Sequence, residues 1–139
     1  MKNIVFQVNI KGVRHKPEFD LSTQSWKKWA DKNDCEVLVL DQFIREQDYM
    51  KANWQKWFIF DLLEHNNIEY DQILVVDADT IVHPDCPNFF EDTSDKFAVV
   101  QSDGCYEWVN RSINGYGNFL FQDIDIKPWN YFNSGFMVL

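Results

Sequence analysis

The stretch Ile73-Leu74-Val75-Val76-Asp77-Ala78-Asp79-Thr80 decides how the rest of the chain reads. Four consecutive apolar residues without polar alternation describe a strand covered on both faces, as in a parallel sheet roofed by helices. The run then breaks into two carboxylates separated by one small residue. Alternate side chains of a strand share a face, so Asp77 and Asp79 are expected to project together from its carboxyl end, with Cα atoms roughly 6–7 Å apart. Two direct bonds to one ion then need convergent rotamers; otherwise one acid binds directly and the other through water, Asp79 being the firmer ligand. Adjacent carboxylates repel, and hard divalent cations prefer oxygen, so Mn²⁺ or Mg²⁺ is the natural partner. Such an ion would join the carboxylates to phosphate oxygens and stabilise a departing diphosphate. An isolated D-x-D more often caps a turn, but the buried strand in front of this one favours the metal site.

Outward from that strand, apolar runs alternate with helical patterns. Asn3 to Val8, Glu36 to Leu40, Phe97 to Val100 and Phe136 to Leu139 read as further strands. Leu21 to Asn33 reads as a helix with Ser22, Trp26, Trp29 and Ala30 on one stripe, and Tyr49 to Asn66 as a longer helix with Asp48 as its N-cap. Asp103 to Pro128, with its run of glycines and asparagines, reads as loop. The alternation predicts an α/β fold, a mostly parallel sheet flanked by helices, with ligands gathering outside the carboxyl ends of the strands. Trp26, Trp29, Trp54, Trp57 and Phe58 lie at helical spacing and are expected in the core, which leaves Trp108 and Trp129 as candidate sugar contacts.

With 139 residues, 45% of them hydrophobic, the chain is expected to form a single domain over 1–139. A net charge of −9, with no basic run, excludes the electrostatic footprint of a nucleic-acid binder. The short apolar stretch near the start is below the length of a signal-peptide core or a transmembrane segment, so a soluble, cytoplasmic protein is expected. Cys35, Cys86 and Cys105 form neither a disulfide framework nor a zinc spacing. Asn110-Arg111-Ser112 matches a glycosylation acceptor but has no secretory signal to act with, and His83, beside Pro84, reads as a loop histidine.

Three stretches together resemble the GT-A-fold glycosyltransferases, nucleotide-diphospho-sugar transferases, and most nearly the family-8-like group that includes glycogenin and bacterial galactosyltransferases. They are ILVVDADTIV (Ile73 to Val82), similar to the family's strand and DxD segment; FAVVQSD (Phe97 to Asp103), similar to its next strand and acidic end; and Tyr131 to Val138, similar to its FNSG strand. The resemblance implies transfer of a sugar from a nucleotide-diphosphate donor, with a UDP-sugar expected, to a glycan or another hydroxyl acceptor that the sequence does not identify. It places the metal and diphosphate at Asp77, Ala78 and Asp79, and the donor sugar at Asp103, Asn133, Ser134 and Gly135. Alone, Asp103 would read as a turn former before Gly104 and Asn133 as a residue at the start of a strand. The loop after the first strand, with Val8 and Asn9, is implied to meet the nucleotide base.

The family often carries a basic residue on the helix before the DxD strand. Lys56 has Ala52, Asn53, Ile59 and Phe60 as its helical neighbours, so it needs either an anion, the diphosphate or the donor sugar, or a route to water past Phe60. Family members also supply a metal-binding histidine downstream of FNSG. This chain has only His15, His65 and His83, and its last run stops inside an apparent strand, so the acceptor-side part is expected beyond Leu139. A haloacid-dehalogenase-type phosphohydrolase fits less well, because Ile81 stands where that pattern wants Thr or Val. A sugar nucleotidylyltransferase wants a glycine-rich first loop, and Ile10 to His15 has one glycine. The alternative of another class is a non-catalytic sugar- or nucleotide-binding module with the same fold.

Overall fold

The computed structural model describes residues 2–12, 15–94, 96–102, 104–119 and 123–139. β3 (Tyr70–Asp77) lies at the centre of a five-stranded sheet in the order β2-β1-β3-β5-β4, with β1 over Lys2–Val8, β2 over Glu36–Leu40, β4 over Ala98–Gln101 and β5 over Phe132–Val138. From Ile73 to Val76 β3 is at most 2% exposed, as an uninterrupted apolar run demands. β1 pairs in parallel with both β2 and β3, whereas β5 runs antiparallel to β3. The fold is therefore α/β with helices flanking the sheet, as expected, and the sheet is mixed. The registers Val8↔Leu40 and Val8↔Asp77 bring the carboxyl ends of the three parallel strands level.

Two compact units divide the chain: Met1–Ala98 with Gly135–Leu139, and Val99–Ser134. In the first, helix α1 (Pro17–Lys32) begins with Pro at its first turn, carries Glu18 and Asp20 there and ends on Lys32, so its charges complement the helix dipole. Ser22, Trp26, Trp29 and Ala30 are its buried residues, the stripe that helical spacing predicts. Trp26 and Trp29 meet edge-on at 5.7 Å, Trp29 stacks on Phe89 at 5.1 Å, and Phe89 meets Phe136 edge-on at 5.0 Å. Each such pair adds about 0.5–1.5 kcal/mol beyond burial. Val5, Leu74, Val76 and Val138 floor this cluster. Cys35 packs against it, and burial, helped by the Asp34 charge, pushes its thiol up to about 11, so it is not a nucleophile at neutral pH.

The expected helix from Tyr49 to Asn66 is shorter and of two kinds. A 3-10 helix over Ala52–Phe58 leads into α2 (Ile59–His65), and the residue preceding the first is Lys51, so Asp48 caps nothing. With three residues per turn instead of 3.6, the 3-10 segment places Trp54 and Trp57 on one side. Both are exposed, at 39% and 44%, while Gln55 and Lys56 are buried, which corrects the core assignment of these tryptophans.

α3 (Phe89–Thr93) closes the first unit's helices, with Asn88 accepting the Phe90 N–H as its cap. In the second unit the predicted loop contains a helix, α4 (Tyr106–Phe119), so Asn110-Arg111-Ser112 is helical. Val109 is its buried residue, and Trp108 meets Tyr131 edge-on at 5.8 Å. Among the described residues no helix is long and apolar enough to cross a membrane. Gly115 and Gly117 lie inside α4, where an added Cβ would meet nothing within 4 Å. Glycine in a helix interior costs about 1 kcal/mol relative to alanine. Gly115→Ala and Gly117→Ala are each expected to stabilise α4 by up to about 1 kcal/mol, read as slower amide exchange across the helix; faster exchange would contradict its helical assignment.

Candidate functional site

β3 ends at Asp77, and the chain turns at once. The Thr80 N–H donates to the Asp77 carbonyl at 3.2 Å, and the Thr80 hydroxyl donates to the same oxygen at 2.7 Å. Asp79 therefore sits in the turn and not on the strand, so the alternation that would have aligned it with Asp77 ends at Asp77 itself, two residues earlier. α1 fixes this turn from outside. Trp26 Nε1 donates to Thr80 Oγ1 at 3.0 Å, the Val82 N–H to Ser25 Oγ at 3.3 Å, Trp29 Nε1 to the Cys86 carbonyl at 3.3 Å, and Lys32 Nζ to the Pro84 carbonyl at 2.8 Å. The core tryptophans thus use their apolar faces for packing and their N–H groups for positioning the acidic turn.

The two acids meet different fates. Asp77 Oδ1 receives Lys56 Nζ at 2.6 Å, with the lysine side chain 6% and the aspartate side chain 38% exposed. A lysine this buried needs an anion, and the first acid of the DxD supplies one. Asp79 is exposed, lines a cleft of about 450 Å³, and makes no ion pair among the described residues. Val8, Ile10, Asp77 and Ala78 line the same cleft, together with His15, Phe43, Lys51 and Trp54.

Asn9 is placed otherwise than its assignment to the base implies. It is 5% exposed, and Nδ2 is directed at the Phe19 carbonyl, Asp20 Oδ1 and Thr23 Oγ1, at 3.3, 3.2 and 3.0 Å. Its amide joins the end of β1 to the first turns of α1. The Asn9 hydrogen bond holds the Asp20 carboxyl below its ordinary value, against partial desolvation, with His15 and Lys11 adding to the effect. Gln7, fully buried, donates to Ser22 Oγ at 2.9 Å and accepts from Thr23 Oγ1, extending the same network.

Of the remaining assigned residues, Asp103 lies outside the described residues. Gly135 precedes Phe136 on the antiparallel β5, so one step beyond the Val76↔Phe136 pair it falls level with Asp77, which follows Val76 on β3. Asn133 is exposed and Ser134 half-buried; both belong to the second unit, as do the exposed Trp108 and Trp129. His83 is a loop residue beside Asp85, at 3.7 Å. Sequence reasoning missed Phe43, Lys51 and Trp54 as cleft residues. Trp54 was hidden because helical spacing assigned it to the core, and Phe43 carries no local signal. Among the described residues no three His, Cys, Asp or Glu side chains gather as a metal site. Asp77 and Asp79 offer hard oxygen donors, a set that suits Mn²⁺ or Mg²⁺ when substrate and water complete the shell.

Comparison with models of known families, with curated proteins and with solved structures returns no match. What the site does must be read from its own chemistry.

Removing one partner of a buried ion pair strands the other charge and costs about 3–5 kcal/mol, and less where one partner is partly solvated. Asp77→Asn is therefore expected to cost about 1–3 kcal/mol in denaturant unfolding, while Asp79→Asn stays within about 0.5 kcal/mol. Equal losses would show that the two acids are not divided in this way.

Proposed function

We propose that the chain is the nucleotide-sugar-binding part of a metal-dependent glycosyltransferase of the GT-A type. What supports this reading most is one observation: at the carboxyl end of a buried central strand, Asp79, a carboxylate without an ion-pair partner among the described residues, lines a cleft beside a second carboxylate, Asp77, which a buried lysine pairs. Ligands of open α/β sheets gather at this end of the strands.

In this reading Asp79, with Asp77 beside it, would hold Mn²⁺ or Mg²⁺ for a donor's diphosphate. When bound, the cation supplies neutralisation of the charge that builds on the departing diphosphate. The chain's own residues do the rest. Lys56 holds Asp77 in one orientation and keeps the cleft's acidity from doubling. Thr80 and Trp26 fix the turn that carries Asp79, so the carboxylate needs little reorganisation to bind. Asp103, Asn133, Ser134 and Gly135 are assigned to the donor sugar on the resemblance of their segments to the family's, and the hydroxyl acceptor is unassigned.

Outer partners of a metal already cost about 10–100-fold in affinity when removed, so loss of a direct ligand is expected to cost at least about tenfold. Calorimetry with Mn²⁺ and uridine diphosphate should therefore show Asp79→Asn binding at least about tenfold more weakly than the unsubstituted chain. Chelation of the metal should weaken the nucleotide in the unsubstituted chain and change little in the variant. Equal binding by the two proteins would remove the assignment.

A further inference from the structure

The cleft beside Asp79 has a second wall that the carboxylates do not explain. Phe43 and Trp54 both line it, and they remain 37% and 39% exposed. Large aromatic rings left facing water at a concave surface are the usual mark of a binding face.

This wall is built. Gln55, next in sequence to Trp54, is fully buried: Oε1 accepts the Ile44 and Arg45 N–H groups at 2.7 and 3.2 Å, and Nε2 donates to the Arg45 and Met50 carbonyls at 2.8 and 3.1 Å. All four hydrogen-bonding positions of the amide are used. They tie the segment that follows Phe43 to the 3-10 turn that carries Trp54. Gly12 borders the same wall, since a Cβ there would stand 3.9 Å from the Phe43 ring. A wall held by a saturated buried amide is formed before any ligand arrives, which lowers the ordering cost of binding.

The strand order says which part of a ligand the wall meets. Phe43 follows β2, and Val8 and Ile10 lie at the end of β1, on one flank of β3; β5, with Gly135, lies on the other. Resting on the nucleotide-sugar reading above, the diphosphate is at Asp79 and the sugar toward the β5 segment. The nucleoside then runs toward β1 and β2. There the Asn9 amide N–H groups are spent on α1, and the cleft offers the Phe43 and Trp54 rings together with the polar groups of Gln47, Lys51 and Asn53; of these only the rings present a flat apolar face.

We propose that Trp54, with Phe43, is the platform on which the donor's flat base stacks, and that Gln55 is the positioning residue that holds it. Stacking on an aromatic ring needs no cation, so the base and diphosphate contributions are separable. Removal of a stacking aromatic typically weakens base binding by about tenfold or more.

The test is calorimetry on the unsubstituted chain, Trp54→Ala and Trp54→Phe, each with Mn²⁺ and either uridine diphosphate or inorganic pyrophosphate, and each with a free monosaccharide. Trp54→Ala should weaken uridine diphosphate by about tenfold or more and leave pyrophosphate within about twofold. Trp54→Phe should recover most of the loss, which a misfolded variant would not. Unchanged uridine diphosphate affinity, equal weakening of both anions, or loss of monosaccharide binding instead would overturn the platform. If the unsubstituted chain binds neither anion, the glycosyltransferase reading fails first; if it binds both through Asp79 and ignores Trp54, only the platform fails.

Discussion

A strand buried on both faces can end only where its last polar groups find partners, and in this chain that place is Asp77. Its carbonyl takes the Thr80 N–H and hydroxyl and, at 3.5 Å, the Gln7 amide; its carboxylate takes Lys56. Through these bonds the acidic turn, β1 and the 3-10 helix are all fastened to one residue, and through Thr80 so is Trp26 of α1. Leaving such groups without partners would cost about 1–3 kcal/mol each. The geometry of the cleft follows from how the strand's end is satisfied.

That constraint divides the DxD pair. A buried ion pair adds little net stability, because desolvation offsets most of the attraction, but it fixes orientation. Asp77 is thereby a structural anion that still borders the cleft, while Asp79, two residues past the strand, is left open to whatever enters. In a chain of net charge −9, an open carboxylate at a concave site selects for cations and against bare anions. On the proposed reading, a diphosphate enters this site with a metal ion.

Much of this was legible in the sequence where burial imposes a period. β1, β2 and β3 follow apolar runs, and the stripe of α1 is the one its spacing predicts, because each packs against a sheet that tolerates no slip. The failures fall where the period itself changes. Trp54 and Trp57 fit an α-helical core stripe, but three residues per turn turned them outward and turned Gln55 and Lys56 in. Within the loop expected between Asp103 and Pro128, Tyr106–Phe119 forms α4, its buried Val109 offsetting two glycines whose cost is about 1 kcal/mol each. At the site, the position of Asp77 and its cleft were readable. The departure of Asp79 from the strand was not, since a tryptophan far along the chain decides it through Thr80.

The polarity of α1 carries the same logic along the helix. Its buried residues pass from Ser22, through Trp26 and Trp29, to Ala30, and on the facing side the chain passes from Val5 and Gln7 of β1 to Asn9 just beyond the strand. Toward the carboxyl ends of the strands, apolar packing therefore gives way to a buried amide and hydroxyl network: Gln7 with Ser22 and Thr23, Asn9 with Thr23 and Asp20. Among the described residues Asn9 Oδ1 is the one buried side-chain polar atom it leaves without a partner. A core that becomes polar in this graded way excludes water less strictly but holds its groups by direction, whereas apolar contacts fix only distance. The end of the sheet that carries the acidic turn is thus held largely by directional bonds, the Trp26 N–H to Thr80 among them, while the rest of this face is closed by the packing of the same tryptophans and phenylalanines.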